Sequence, residues 1–318
     1  MRLLAIGDLH VSHEENRPVV EGLRGEPGDW LALAGDVGVT AEHLRWTLGV
    51  VRPRFERVLW VPGNHDLWTH PRDPDGWRGE ERYRRLVEIC RSFEVDTPED
   101  DYPACVLDGE EVAVAPLFLL YDYSFRRPGL SKDEAIAAAR RVGTSGADER
   151  LLHPDPYPSR EDWCHARVEW TARRLEAVPA DRRTVLVSHF PLRRDVVRLR
   201  AIPLFAPWCG TTLTDDWHLR FRAGAVVSGH LHVPGTMWRD GVPFREVSLG
   251  YPRQWRRWRW RTPGPTEVRL GGGPGQAGGA HAPDGGGDTA SASAGGTASA
   301  SAGGSASASA GEQRQQGL

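Results

Sequence analysis

Five short motifs carry residues able to bind metal ions: Gly7-Asp8-Leu9-His10, Gly35-Asp36, Gly63-Asn64-His65-Asp66, Ser188-His189 and Gly229-His230-Leu231-His232. Carboxylates, an amide and imidazoles together form a donor set suited to first-row divalent ions. In Asp8-Leu9-His10 the two outer side chains fall on one side of an extended strand end, so both can reach one ion. The set is large enough for two ions a few ångströms apart. Two such ions clamp the attacking and leaving oxygens of a phosphate ester, so the chemistry indicated is phosphoester hydrolysis. Two divalent cations against the two aspartates Asp8 and Asp36 leave a charge of roughly +2 to meet a phosphate.

The elements that must position these residues are short apolar runs. Leu3 to Ile6, Trp30 to Ala34, Val58 to Val61, Glu111 to Ala115, Thr184 to Ser188 and Ala225 to Ser228 read as strands. Five of the six lead directly into a motif, which puts each polar cluster at a strand's C-terminal end, where α/β sheets hold ligands. Between them run amphipathic stretches expected as helices: Ala41 to Phe55, Glu80 to Phe93, Lys132 to Val142 and Arg160 to Val178. Alternation of this kind predicts a layered α/β architecture.

The motif set, in this order, resembles the calcineurin-like metallophosphoesterase superfamily over most of residues 1–262. The resemblance implies a four-layer α/β/β/α sandwich built on two β-sheets. It implies that Asp8, His10 and His232 bind a first metal, that Asp36 bridges, and that Asn64, His189 and His230 complete a second. It gives His65 a place over the phosphate, with Asp66 as its partner; a carboxylate there would orient the ring and raise its pKa. A water held between the ions would be acidified and would attack phosphorus in line with the leaving oxygen. Manganese, iron and zinc all suit the donors.

Departures from better-known branches narrow the substrate. Protein phosphatases of the superfamily carry Asp-Arg-Gly where this chain has Asp36-Val37-Gly38-Val39, and the tyrosine ligand of purple acid phosphatases is missing. There is little room for the DNA-capping domain of the recombination nucleases. The first expectation is therefore a phosphatase for a small phosphorylated metabolite. The alternative is a phosphodiesterase for cyclic nucleotides or other diesters, with nucleic acid entering only as such a diester. A non-catalytic scaffold ranks last, because no motif residue is lost. Arg126 and Arg127 tilt the choice to the monoester, since a dianion's third oxygen needs an added cation. Tyr251 and Arg253 are further candidates for substrate contact. Ser12, His13, Asn16 and Arg17 follow the first motif closely enough to touch substrate or orient a ligand.

The chain has 318 residues, 39% of them hydrophobic, enough for one large core. The metallophosphoesterase domain is expected over residues 1–262, followed by a Gly/Ala/Ser-rich tail, 263–318. Within the domain, 116–158 interrupts the alternation, either as the loop and helix shaping the substrate pocket or as a surface insertion packed by its own aromatics. In the tail the repeats Thr289 to Gly296, Thr297 to Gly304 and Ser305 to Gly311 offer no apolar face to stack, so a disordered coil is expected. Trp258 to Arg261 alternates with period two, as a half-buried edge strand would. A formal charge of -3 gives no sign of a polyanion-binding protein. Cys90, Cys105, Cys164 and Cys209 form no C-x-x-C pair and fit a reducing compartment. No leader and no membrane-spanning run are visible, so the expectation is a cytoplasmic protein.

Overall fold

In the computed structural model, residues 1–272 are described except 72, 74, 145 and 258–262. Ten strands build two sheets: β1 (Leu3–Ile6), β2 (Trp30–Leu33), β3 (Arg57–Trp60), β4 (Ala104–Leu107), β5 (Glu110–Pro116), β6 (Arg183–Val187), β7 (Ala223–Ser228), β8 (Gly235–Arg239), β9 (Val242–Glu246) and β10 (Thr266–Glu267). One sheet has the order β10-β1-β2-β3, the other β4-β5-β6-β7-β9-β8. The strands β1 to β2 to β3, and β5 to β6 to β7 to β9, run parallel, while β10, β4 and β8 join as antiparallel edge strands and β3 forms the one parallel edge among the described strands.

Period-two alternation sorts the side chains of each strand between two faces. Leu3, Ala5, Ala32, Ala34, Leu59 and Val61 turn inward and pack on Val112, Val114, Val185, Val187, Ala225 and Val227 of the other sheet. Leu4, Ile6, Leu31, Leu33, Val58 and Trp60, with Leu186 and Val226, belong instead to the outer cores, where the helices pack. Both faces are thus covered, as the near-continuous hydrophobic runs require. The helices are α1 (Arg17–Gly22), α2 (Ala41–Val51), α3 (Asn64–Leu67), α4 (Gly79–Ser92), α5 (Lys132–Arg141), α6 (Asp148–Leu151), α7 (Arg160–Glu176), α8 (Trp217–Arg220) and α9 (Pro252–Trp255). This is the expected two-sheet sandwich flanked by helices. The segment after β9 ties the sheets together, because Gly7 donates to the Val247 carbonyl and Leu249 donates to that of Gly7.

Two boundaries differ from the sequence reading. Helix α2 stops at Val51, and Arg52–Arg54, with Pro53 at its centre, continues as a 3-10 turn. The folded part runs past residue 262. Thr266 and Glu267 pair with Ala5 and Leu4, and Val268 is buried in the inter-sheet core, so a tail beginning at 263 is too long. Its repeats, and the strand expected over Trp258 to Arg261, lie outside the described residues. The 116–158 segment buries Phe118, Tyr121 and Tyr123 in the core and also reaches the site below. All four cysteines are buried and free. Among the described residues no helix is long and apolar enough to cross a membrane.

Candidate metal centre

Each motif ends a strand on the same side of the sandwich, and the donors converge there. Asp8 and His10 follow β1, Asp36 follows β2, Asn64 and His65 follow β3, His189 follows β6, and His230 and His232 follow β7. Three groups of donor atoms lie within 4.8 Å of one another: Asp8, His10 and His232; His10, Asp36 and His65; Asp36, His189 and His230. Asp36 is common to two of these groups. Its Oδ2 lies 3.9 Å from His10 Nε2, 3.9 Å from His65 Nε2 and 3.4 Å from His189 Nε2. The 3.9 Å separations are too long for hydrogen bonds. They are close to the spacing of donors that each sit about 2.1 Å from a shared cation. His10 Nε2 and His232 Nε2 face each other at 3.2 Å, as do His189 Nε2 and His230 Nδ1, and Asn64 Oδ1 is 3.1 Å from His189 Nε2. A donor set of buried carboxylates and facing imidazoles fits two divalent cations.

The backbone supports the same reading. Asp8, His10, Asp36, His230 and His232 all have positive φ, between 41° and 72°. Residues with side chains pay for that conformation, and it persists where surrounding structure enforces it, most often at functional sites. Glycines give the candidate donors room. A Cβ on Gly63 would lie 2.1 Å from Asp36 Oδ1, and one on Gly229 would lie 2.3 Å from Asp8 Oδ2.

A second set of residues, which no motif announces, aims the donors. Asp8 Oδ2 accepts from the Ser248 hydroxyl at 2.7 Å, and the His230 backbone N–H donates to the same carboxylate. The Gln254 side-chain oxygen lies 2.9 Å from His232 Nδ1, and the Ala34 carbonyl lies 2.9 Å from His189 Nδ1. Asn64 Nδ2 donates to Asp148 Oδ1 at 2.9 Å, and Trp68 Nε1 donates to the same oxygen at 2.6 Å. Partners of this kind fix ring tautomer and orientation. Asp148 comes from the 116–158 segment, and Ser248 and Gln254 from the stretch after β9; only their place in space marks them.

Electrostatics divide the histidines. Burial, reinforced by neighbouring imidazoles, holds His10, His65 and His230 well below the usual histidine range. His232 is also buried, yet the Asp8 charge and hydrogen bond outweigh that and raise it. The same pair holds Asp8 below the carboxylate range, against the opposing effect of burial.

Several sequence expectations need correction. Asp66 is not the partner of His65. Its carboxylate accepts from the backbone N–H groups of Asp36, Gly38 and Gly63, pinning the second and third motifs together, and burial lifts its pKa to about 7. The His65 ring is held instead between Trp68, at 3.6 Å between centroids, and His10, at 4.7 Å. The pKa of His65 is therefore lowered, where an adjacent carboxylate would have raised it. Arg126 does not reach the site, because its guanidinium donates to the Tyr123 and Leu130 carbonyls. Arg127 lines a separate hollow, and Arg253 is exposed outside the cleft. Tyr251 is at the centre, stacked on His10 at 4.6 Å. Asn16 holds that neighbourhood together by donating to the Leu9 and Gly250 carbonyls.

The cleft over these donors has two characters. Asp36, Asn64, His65, His230 and His232 form its polar floor, and Trp68, Leu199, Ile202, Phe205, Leu231 and Tyr251 form apolar walls. Among the described residues no arginine or lysine lines it.

A family model described as calcineurin-like phosphoesterase matches residues 1–234. The [acyl-carrier-protein] phosphodiesterase PptH of Mycobacterium tuberculosis is 50% identical over 257 residues, 80% of this chain and 79% of that protein. The crystal structure of the phosphopantetheinyl hydrolase PptH from the same organism superposes with a TM-score of 0.81 at 48% identity, covering 84% of this chain and 95% of that one.

Proposed function

This chain belongs to the calcineurin-like phosphoesterase family and is a phosphoester hydrolase; from that premise we propose that it is a metal-dependent phosphodiesterase that cleaves a phosphopantetheine arm from an acyl carrier protein. The observation that carries this reading is the 50% identity to a phosphodiesterase of that description, extending over most of the folded chain. The cleft supports it independently. The monoester expectation rested on Arg126 and Arg127, and neither lines the cleft. A diester monoanion has no third free oxygen to neutralise, and it needs room for a second ester arm. The apolar walls at Leu199, Ile202 and Phe205 offer that room beside the donors.

Asp8, His10 and His232 would hold one divalent ion, and Asn64, His189 and His230 another, with Asp36 between them. When bound, the ions would polarise the phosphoryl oxygens and supply an acidified water. The protein's own groups do the rest. Asp148 holds the Asn64 amide, Gln254 and Asp8 fix the His232 ring, and Ser248 fixes Asp8. His65 stands within 3.9 Å of Asp36 and stays neutral through burial, so its ring can donate one N–H toward a phosphoryl or leaving oxygen. Trp68, stacked on it, prevents the ring from turning away. Domain limits follow the same reading, with the hydrolase running from residue 1 through β10.

The test is to supply manganese-loaded protein with phosphopantetheinylated acyl carrier protein, bis-p-nitrophenyl phosphate and p-nitrophenyl phosphate, beside an Asp36→Ala variant. Release of the arm, faster diester than monoester cleavage, and loss of both in the variant are expected. Faster monoester cleavage with no release of the arm would return the protein to the metabolite phosphatases.

A further inference from the structure

A second hollow, open to solvent, lies beside the cleft. The segment Val197–Pro207 is the ridge between them. Leu199, Ile202 and Phe205 face the cleft, while Val197, Pro203 and Leu204 face the hollow. Two guanidiniums, of Arg127 and Arg194, line this hollow, and no carboxylate does. Among the described residues neither side chain has a hydrogen bond or an ion pair. Arg198 and Arg200, exposed on either side of Leu199, have no such partner either.

Arginines next door are treated differently. Arg193 binds Asp195 at 2.9 Å, and Arg239 binds the same carboxylate at 2.7 Å. Asp215 accepts from the Arg194 backbone N–H and feels the charge of its guanidinium without forming an ion pair with it. Around this hollow, then, the guanidiniums without an ion pair lie on the outer side of the ridge, next to a cleft that, among the described residues, no arginine or lysine lines. Cations sharing a hollow with apolar walls repel one another until an anion enters, and such a surface selects an acidic partner.

Resting on the phosphodiesterase reading above, we propose that this hollow and the exposed Arg198 and Arg200 form the docking surface for an acidic segment of the protein that carries the diester. The arm crosses the ridge at Leu199 and Ile202 into the cleft, while carboxylates of the carrier settle against Arg127 and Arg194. Recognition is split accordingly: the apolar cleft reads the arm and the arginines read the protein.

The test is an Arg127→Glu/Arg194→Glu double variant of the full chain, with its melting temperature checked against wild type. It is assayed on phosphopantetheinylated acyl carrier protein and on bis-p-nitrophenyl phosphate, and carrier binding is measured by fluorescence titration. The expected result is a KM for the carrier raised at least about tenfold, kcat little changed, and cleavage of the small diester unaltered. Added salt should raise the wild-type KM for the carrier and leave that of the variant nearly flat. An unchanged KM for the carrier would overturn the docking surface while leaving the proposed activity standing. Equal loss on both substrates would also overturn it, by assigning the arginines to the reacting diester. If wild-type protein neither binds nor cleaves the carrier, the proposed activity falls first and the surface with it.

Discussion

Asp148→Ala isolates the contribution of the 116–158 segment to the site. The carboxylate is buried, and one of its oxygens accepts both the Asn64 amide and the Trp68 indole N–H. Each hydrogen bond to a charged acceptor contributes about 1.5–3 kcal/mol. Truncation strands two donors but also frees the fold from burying a carboxylate, whose pKa burial already raises. The two effects leave a net loss of about 2–3 kcal/mol by this account. Asn64 is then free to turn, and losing a partner that orients a ligand costs roughly 10–100-fold in metal affinity or activity. Asp148→Asn keeps an acceptor oxygen at that position and should recover most of both losses. The assays are urea denaturation of metal-free protein, and metal content with diester turnover after dialysis. Full metal content and turnover in Asp148→Ala would refute the positioning argument, as would an asparagine variant no better than alanine.

Three further outcomes are expected. Gly229→Ala should retain the fold at a cost of roughly 1–3 kcal/mol, since its Cβ meets Asp8 Oδ2 at 2.3 Å, while bound metal and diester turnover drop sharply. Arg82→Met should cost about 3–5 kcal/mol in thermal or urea unfolding, because it leaves the Asp73 carboxylate without its buried partner at 2.6 Å and frees the carbonyls of Asp66 and Val39. In metal-free protein the Asp8–His232 pair should stabilise most between pH 3.8 and 6.5. Asp8 is lowered, so its contribution is lost as pH falls below its unfolded value; His232 is raised, so its contribution is lost as pH rises through its folded value. Melting curves of wild type and His232→Gln should diverge in that window, and metal loading near pH 7 should release a proton, measurable by calorimetry in two buffers.

Much of the candidate donor set was legible because strand ends and the polar residues that follow them are written in adjacent positions. All six expected strands exist, each within two residues of its expected ends. Of the missed strands, β4, β8 and β10 lie at sheet edges, where little buried surface leaves a weak hydrophobic signature; β9 lies between β7 and β8 and is largely buried, but Pro243 interrupts its apolar run. Two turns nevertheless carried a signal. Asp108-Gly109 and Asp240-Gly241 have positive φ at both residues and join β4 to β5 and β8 to β9, as Asp-Gly hairpins do. Asp148, Gln254 and Ser248 were invisible for another reason. Each acts through hydrogen bonds to partners elsewhere in the chain, from 22 residues away for Gln254 to 240 for Ser248, and neither periodicity nor spacing records that. The pairing assumed for His65 failed because adjacency in sequence did not become adjacency in space. On the first turn of α3, the Asp66 carboxylate turned back to cap backbone amides.

The Asp8–His232 bond spans 224 residues, and β1, which leads into Asp8, has β10 as its outer neighbour. On the ribosome, the first ligand therefore emerges long before its companions, and the inter-sheet core waits for Val268. Throughout that interval β1 has a vacant edge, and Asp8 and His10 have no ring to complete. Contacts so distant in sequence close late and slowly. Nascent chains arrested before β7 should therefore hold no metal at this site, and released full-length chains should acquire metal only after the termini of the sandwich have met.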